Sequence, residues 1–288
     1  MRIAVIGLGV MGAPMAQNLL GAGHELRIHR ENSRSRALVE AGATLAATPA
    51  ATAEGAEVVL LMLPDTPDVE AVLHGEDGVI GALAEGALVL DMSSISPVAT
   101  EQFAHAVVAA GGQYVDAPVS GGEVGAREGT LTVFVGGEEA AVARAMPLLE
   151  ILGGRITHLG PAGAGQAAKV VNQVIVGLTV QAVAEGLALA EASGLDPEQV
   201  RAALDGGFAT SRILELHGRR MAERAFEPGF RLRLHRKDLR LAQDSAAHRG
   251  LALPALETVA GQMDEAIARE LQELDHSALF QLLTEDTR

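Results

Sequence analysis

Val58-Val59-Leu60-Leu61-Met62-Leu63 offers no polar face to water. A strand that reads as a continuous apolar run is buried on both sides, which is the situation of an interior strand in a parallel sheet covered by helices. Similar runs recur at Arg2–Gly7, Glu25–His29, Ala87–Asp91, Gln113–Ala117 and Leu131–Val135. Helical patterns separate them at Met11–Leu20, Arg34–Ala41, Pro67–Leu73, Pro97–Ala110 and Glu138–Leu149. Strand and helix in alternation predict an α/β domain with a doubly wound, mostly parallel sheet.

The pattern changes after Gly160-Pro161-Ala162-Gly163. A helical repeat runs from Ala164 to Ser193, and only helices follow: Pro197–Leu204, Ser211–Arg224, Leu232–His248, Pro254–Glu270 and a short last one from Ser277. Asp196 before Pro197 is an N-cap followed by proline at the first helical position. The expected organisation is a Rossmann-type domain over residues 1–162 and an all-α domain over 163–288, joined by the long helix.

Composition removes several functions. With 22 Lys and Arg against 37 Asp and Glu, the net charge is −15. Such a surface repels phosphate backbones, and 6 Phe, 1 Tyr and no Trp leave little to stack bases on, so no nucleic-acid partner is expected. The absence of Cys excludes disulfides, thiolate nucleophiles and thiolate metal sites. The uncharged stretch Ile3–Gly23 is interrupted by glycines, Pro14, Gln17 and Asn18, and only 15 uncharged residues separate Lys169 from Glu185, so no membrane segment is expected. A soluble, cytoplasmic protein is the expectation.

Gly7-Leu8-Gly9-Val10-Met11-Gly12 fits G-x-G-x-x-G between a strand and a helix. In that context Gly7 permits the tight turn, Gly9 lets a pyrophosphate approach, and Gly12 allows helix and strand to pack closely. The free amides at the helix start then meet the phosphates. About twenty residues on, the second strand runs into Ile28-His29-Arg30-Glu31-Asn32-Ser33-Arg34. An acid at its end would bond the ribose of NAD, whereas Arg30, with Ser33 and Arg34, suits the 2′-phosphate of NADP. NADP is favoured; NAD remains possible through Glu31 if the register slips by one.

Three further segments carry polar groups where open α/β sheets bind ligands. Asp116-Ala117-Pro118-Val119-Ser120-Gly121-Gly122 offers a hydroxyl and exposed amides, or a flexible turn. Asp91-Met92-Ser93-Ser94 places Ser94 within reach of a nicotinamide, or supplies an N-cap ahead of Pro97. Lys169 and Asn172 share one face of the long helix among valines. Burial there would depress the Lys169 pKa and suit it to acid–base work, unless its stem lies along the helix and its head reaches water. Lys237-Asp238 reads as an exposed ion-pairing face, and Asp275-His276-Ser277 as a helix cap. No histidine spacing resembles a metal site.

Taken together these motifs resemble the β-hydroxyacid dehydrogenases, the family that includes 3-hydroxyisobutyrate dehydrogenase and tartronate semialdehyde reductase. The likeness runs from Gly7–Gly12 with Pro14-Met15, through Met62-Leu63-Pro64, Asp116–Gly122 and Gly129-Thr130-Leu131, to Gly163-Ala164-Gly165, Lys169, Asn172 and Lys237-Asp238-Leu239. Asn172–Val176, Pro228-Gly229-Phe230-Arg231 and Asp275–Leu279 are more similar to the tartronate semialdehyde reductase branch.

The resemblance implies an NAD(P)-dependent enzyme acting on a short semialdehyde or 3-hydroxy acid. Lys169 would be the catalytic acid/base, and Ser120, Gly121, Gly122 and Asn172 would hold the substrate. Leu63, Pro64, Ser94 and Lys237 would flank the cofactor, and the chain would form a homodimer or homotetramer through the helical domain. A non-enzymatic dinucleotide sensor would be expected to lack Lys169. Arg30 departs from the acidic residue that many NAD-using relatives carry.

Overall fold

The computed structural model describes residues 1–284. Nine strands form one sheet: β1 Arg2–Ile6, β2 Glu25–His29, β3 Thr44–Ala46, β4 Val58–Leu61, β5 Leu88–Asp91, β6 Gln113–Asp116, β7 Val119–Ser120, β8 Leu131–Gly137 and β9 Gly153–Gly160. Their order is β3-β2-β1-β4-β5-β6-β8-β7, with β9 also pairing β8. The first six strands are parallel, β8 runs antiparallel to β6 and β7, and β9 is parallel to β8. The expected doubly wound, mostly parallel sheet is therefore present.

Side chains alternate across each strand, and this divides the apolar runs between two cores. Ile3, Val5, Val58, Leu60, Leu88 and Leu90 face one core, with Met15 and Leu19 of the helix Gly12–Gly21 and Leu148 and Leu149 of Glu139–Leu152. Ala4, Ile6, Val59, Leu61 and Val89 face the other, with Val69 and Leu73 of Thr66–His74 and Phe103 and Val107 of Pro97–Ala109. An unbroken apolar hexamer is what two-sided burial demands, and β4 is buried at all four of its positions.

Three strands escape the apolar-run rule. β3 has two exposed residues and one half-buried at the sheet edge, and β7 is two residues long. β9 exposes Arg155, Thr157 and His158 and lies at an edge, where polar residues are tolerated.

The chain divides into two compact units, Met1–Lys169 and Val170–Arg288. Beyond the sheet it is helical: Ala164–Ala192, Pro197–Leu204, Arg219–Ala222, Leu232–His248, Pro254–Ala268 and Leu279–Thr284. A π-helical segment, Leu214–Gly218, interrupts the helix expected over Ser211–Arg224. The core of the second unit gathers Val180, Leu187, Met221, Leu232, Leu239, Leu256, Val259, Met263 and Phe280.

The helix Ala164–Ala192 is long and apolar enough, by length and composition, to cross a membrane. Its buried face nonetheless carries Gln166, Lys169, Gln173 and Gln181. The Ser93 carbonyl accepts from Gln166, Asp238 from Gln173 and Glu185 from Gln181. That is the composition of a core helix.

Candidate active site

The glycine-rich turn is set by backbone clearance. Gly7 has φ +107°, and a Cβ there would lie 2.2 Å from the Met62 carbonyl oxygen. A Cβ on Gly12 would lie 1.9 Å from the Gly7 carbonyl oxygen, whereas one on Gly9 would meet nothing within 4 Å. Gly7 and Gly12 are thus dictated by packing, and Gly9 leaves a smooth, open surface. The Leu8 side chain is buried in the core, while Val10 and Met11 are half-buried. No side chain caps the helix Gly12–Gly21; within its first turn the Ala13 amide donates to the Gly9 carbonyl at 3.2 Å and Pro14 has no amide hydrogen.

At the end of β2, Arg30 is exposed with φ +69°, a left-handed conformation that turns the chain sharply away from the strand. Glu31 pairs with Arg36 at 3.4 Å. Asn32 and Ser35 form a reciprocal capping box on the helix Ser33–Glu40. His29, Arg30, Glu31, Leu45, Ala46 and Ala47 line an open cavity of about 520 Å³. Within it His29 Nδ1 is buried without a hydrogen-bond partner. Burial, and then the Arg30 charge, lower the His29 pKa and favour the neutral ring. A smooth glycine cradle and an open cavity beside an exposed guanidinium fit a dinucleotide.

The ends of β4, β5 and β6 are tied to the start of the long helix. The Leu63 amide donates to Ser93 Oγ at 2.9 Å, which fixes the Leu63-Pro64 turn. Ser93 is fully buried and its amide donates to Asp91, whose other oxygen accepts from the Tyr114 hydroxyl at 2.8 Å. Ser94 is half-buried beside it. The N-cap ahead of Pro97 is Ser96, so neither Ser93 nor Ser94 has that role. Gln166 donates from Nε2 to the Ser93 carbonyl at 2.7 Å and accepts at Oε1 from the Ile95 amide at 3.1 Å.

Asp116 completes this junction. Its oxygens accept from the Gly163 amide at 2.8 Å and the Gln166 amide at 2.9 Å. The carboxyl is fully buried, and burial raises its pKa to about 6 against the pull of those two amides, with buried Asp91 adding to the rise. Room for it comes from glycine: a Cβ on Gly136 would lie 2.5 Å from Asp116 Oδ1, and one on Gly165 would lie 2.8 Å from Oδ2. Lys169 follows one turn along the helix and is buried. One edge of the sheet thus brings together the glycine turn, Leu63, Ser94 and the helical turn that carries Lys169.

Ser120 ends β7, half-buried and paired with Thr132. Gly121 (φ +132°) and Gly122 (φ +62°) take conformations that L side chains avoid. They open the helix Gly122–Glu128 with no side-chain cap.

In the second unit, Asn172 Nδ2 donates to Gln173 Oε1 at 2.8 Å. Lys237 and Asp238, expected on an exposed face, are largely buried and pair at 2.7 Å. A histidine cluster adjoins them that sequence spacing did not reveal. His235 Nε2 meets the Gln173 carbonyl at 3.2 Å, its Nδ1 meets His276 Nδ1 at 2.7 Å, and His276 Nε2 meets His217 Nε2 at 3.2 Å. His217 Nδ1 then reaches Asp275 at 3.2 Å.

His217, Asp275 and His276 bring three ligand atoms within 4.8 Å of one another. The Asp275 carboxylate is already committed: it accepts from the Gly229 and Phe230 amides and from the amide and hydroxyl of Ser277, with Arg220 at 3.7 Å. Four donors and a nearby guanidinium suit a charged anchor better than a metal ligand. The expected cap role of Asp275 is present as well.

The NAD-binding domain of 6-phosphogluconate dehydrogenase matches residues 2–160, and the NAD-binding domain of NADP-dependent 3-hydroxyisobutyrate dehydrogenase matches residues 163–283. The chain is 50% identical to the 2-hydroxy-3-oxopropionate reductase of Escherichia coli, covering 98% of this chain and 97% of that one. It is 41% identical to the 3-hydroxyisobutyrate dehydrogenase of Pseudomonas aeruginosa over 85% of each. The Mycobacterium tuberculosis 3-hydroxyisobutyrate dehydrogenase structure with L-serine superposes with a TM-score of 0.89 at 34% identity, covering 98% of both chains. With a dinucleotide cradle, a buried helical lysine and full-length likeness on both units, the chain belongs to the 3-hydroxyisobutyrate dehydrogenase-like β-hydroxyacid dehydrogenases and is an NAD(P)-binding oxidoreductase of small molecules.

Proposed function

We propose that this oxidoreductase reduces tartronate semialdehyde (2-hydroxy-3-oxopropanoate) to glycerate and prefers NADPH. The observation that carries the reading is the 50% identity, over 98% of the chain, to the E. coli 2-hydroxy-3-oxopropionate reductase.

Gly7, Leu8, Gly9, Val10, Met11 and Gly12 hold the pyrophosphate through their backbone, and Leu63, Pro64, Ser94 and Lys237 flank the rest of the dinucleotide. Arg30 and Ser33 meet the 2′-phosphate; the exposed guanidinium beside the cavity, and the engagement of Glu31 by Arg36, support NADP over NAD. When bound, the cofactor supplies the hydride that the aldehyde carbon accepts.

Ser120, the Gly121 and Gly122 amides and Asn172 together hold the substrate's carboxylate and hydroxyl. Lys169, as ammonium, gives a proton from Nζ to the aldehyde oxygen as the alcohol forms, and takes one back in the oxidative direction. Acid–base assistance of this kind contributes about 10²–10⁴-fold. Positioning lowers the barrier further by holding the carbonyl in register. Asp116 and Gln166 support the role by anchoring the helical turn before Lys169.

The domain boundary lies at 162/163, and the helical domain builds a homodimer or homotetramer; exposed Val171, Ile175 and Leu189 on its long helix support such packing. A cytoplasmic location accords with the absence of cysteine. The test follows loss of NADPH or NADH absorbance with tartronate semialdehyde. Rapid NADPH consumption is expected; consumption with NADH alone would overturn the coenzyme choice, and none with either would overturn the reductase. The second reading, 3-hydroxyisobutyrate dehydrogenase, is favoured by the 41% identity to the Pseudomonas enzyme, and oxidation of 3-hydroxyisobutyrate tests it.

A further inference from the structure

Four side chains of the second unit form a row whose polarity is fixed at one end. Lys237 Nζ meets Asp238 Oδ1 at 2.7 Å, and Gln173 Nε2 donates to Asp238 Oδ2 at 2.5 Å. Gln173 Oε1 accepts in turn from Asn172 Nδ2 at 2.8 Å. Gln173 and Asp238 are buried, at 4% and 3% exposure, whereas Asn172 is half-buried.

A carboxylate beside an ammonium only accepts hydrogen bonds. Gln173 must therefore turn its NH₂ toward Asp238 and its oxygen toward Asn172. Two amide oxygens facing each other repel, so Asn172 turns its own NH₂ toward Gln173 Oε1, as the 2.8 Å contact shows. The amide is planar, and its oxygen then points away from Gln173. The orientation of Asn172 is thus decided by Asp238, two side chains distant.

We propose that Gln173 is a positioning residue that makes Asn172 present its carbonyl oxygen to the substrate, so that Asn172 accepts from the substrate's 2-hydroxyl rather than donating to its carboxylate. The inference rests on the reading of Asn172 as a substrate ligand. It makes the row a specificity device: an acceptor aimed at a hydroxyl loses its partner when a methyl takes the hydroxyl's place. The carboxylate is left to the Ser120-Gly121-Gly122 loop.

The experiment compares kcat/KM for tartronate semialdehyde and for methylmalonate semialdehyde, its methyl counterpart, in the full-length protein, Gln173→Leu and Gln173→Glu. The wild type should favour the hydroxyl substrate. Gln173→Leu should lower that ratio at least tenfold, mainly by raising KM for the hydroxyl substrate, with dinucleotide affinity within twofold of wild type. Gln173→Glu should recover selectivity at low pH, where a protonated carboxyl donates to Asp238 and accepts from Asn172 as glutamine does.

An unchanged ratio in folded variants overturns the role of Gln173 while leaving the reductase intact. A wild type that reduces neither semialdehyde overturns the reductase and this proposal together. Should the variants not fold, the Asn172 side-chain NH₂ resonances of the wild type decide. Slow exchange that persists when glycerate is added supports the assignment; rapid exchange that slows only on adding glycerate, as for an NH₂ that donates to the carboxylate, overturns it.

Discussion

His235 and His276 face each other Nδ1 to Nδ1 at 2.7 Å, so a single proton lies between two rings. The chain extends to the Gln173 carbonyl at one end and the Asp275 carboxylate at the other, and both of these only accept. Four hydrogen bonds thus run through three imidazoles that hold three protons when neutral. Burial, followed by the charges of His235 and His217, pushes the His276 pKa well below its usual value.

Nitrogen-15 spectra at neutral pH should show the His276 ring neutral. A doubly protonated His276 would contradict the effect of its burial. Burial raises the Asp275 pKa, but His217, His276, the Phe230 amide and the Ser277 hydroxyl outweigh it and hold the carboxyl well below the ordinary range. A depressed folded pKa means stability that is present above the unfolded value near 4 and lost as the pH falls below it. Asp275→Asn should cost about 3–5 kcal/mol in urea unfolding at neutral pH, and the deficit should narrow only in strong acid.

Asp116 has the opposite sign. Its folded pKa of about 6 lies above the unfolded value of 3.8, so the native state binds the extra proton. Its contribution to stability is greatest below pH ~4 and declines as the pH rises through 6, by on the order of 2–3 kcal/mol. Asp116→Asn should flatten the pH dependence of the unfolding free energy between these limits. An unaltered slope would mean that Asp116 does not titrate there.

Lys169→Ala should lower kcat by about 10²–10⁴-fold, with dinucleotide binding by calorimetry preserved. Near-normal turnover in that variant would remove Lys169 from the chemistry.

Arg30→Asp should invert coenzyme choice, lowering kcat/KM for NADPH at least tenfold relative to NADH. A parallel fall with both coenzymes would show that Arg30 shapes the turn and does not read the 2′-phosphate.

Gly12→Ala places a methyl 1.9 Å from the Gly7 carbonyl. The turn must open or the helix shift, so dinucleotide affinity should collapse even if the protein folds. Gly9→Ala meets no protein atom and should preserve the melting temperature while weakening cofactor binding. Equal melting temperatures for both variants would contradict the clearance argument.

The sheet was legible wherever burial was two-sided, because β1, β4 and β5 must then read as apolar runs. β3, β7 and β9 were not, since edge strands carry polar residues and are specified by neighbours far along the chain. The Ala-rich segment hid both β3 and the helix Pro49–Ala53.

At the site, Gly7 and Gly12 announced themselves by local spacing, whereas the roles proposed for Ser120 and Lys169 came only with the family resemblance. Asp116 was visible only as the start of a motif; its role as the clamp on Gly163 and Gln166 depends on residues 47 and 50 positions away. His217, His235 and His276 sit on three separate segments, and no spacing joins them. Lys237-Asp238 misled for the same reason, because a charged pair in sequence does not say whether a buried glutamine awaits it.

The protein has one tyrosine and no tryptophan, and that tyrosine is Tyr114, buried and donating to Asp91 in the network that sets the Ser93-Ser94 loop. Its ultraviolet signature therefore reports a single place in the molecule, a few residues from the proposed nicotinamide contact. Reduced cofactor can be excited without indole background, and phenol emission can be followed as a local optical gauge of how the sheet edge responds to ligand, with no label introduced.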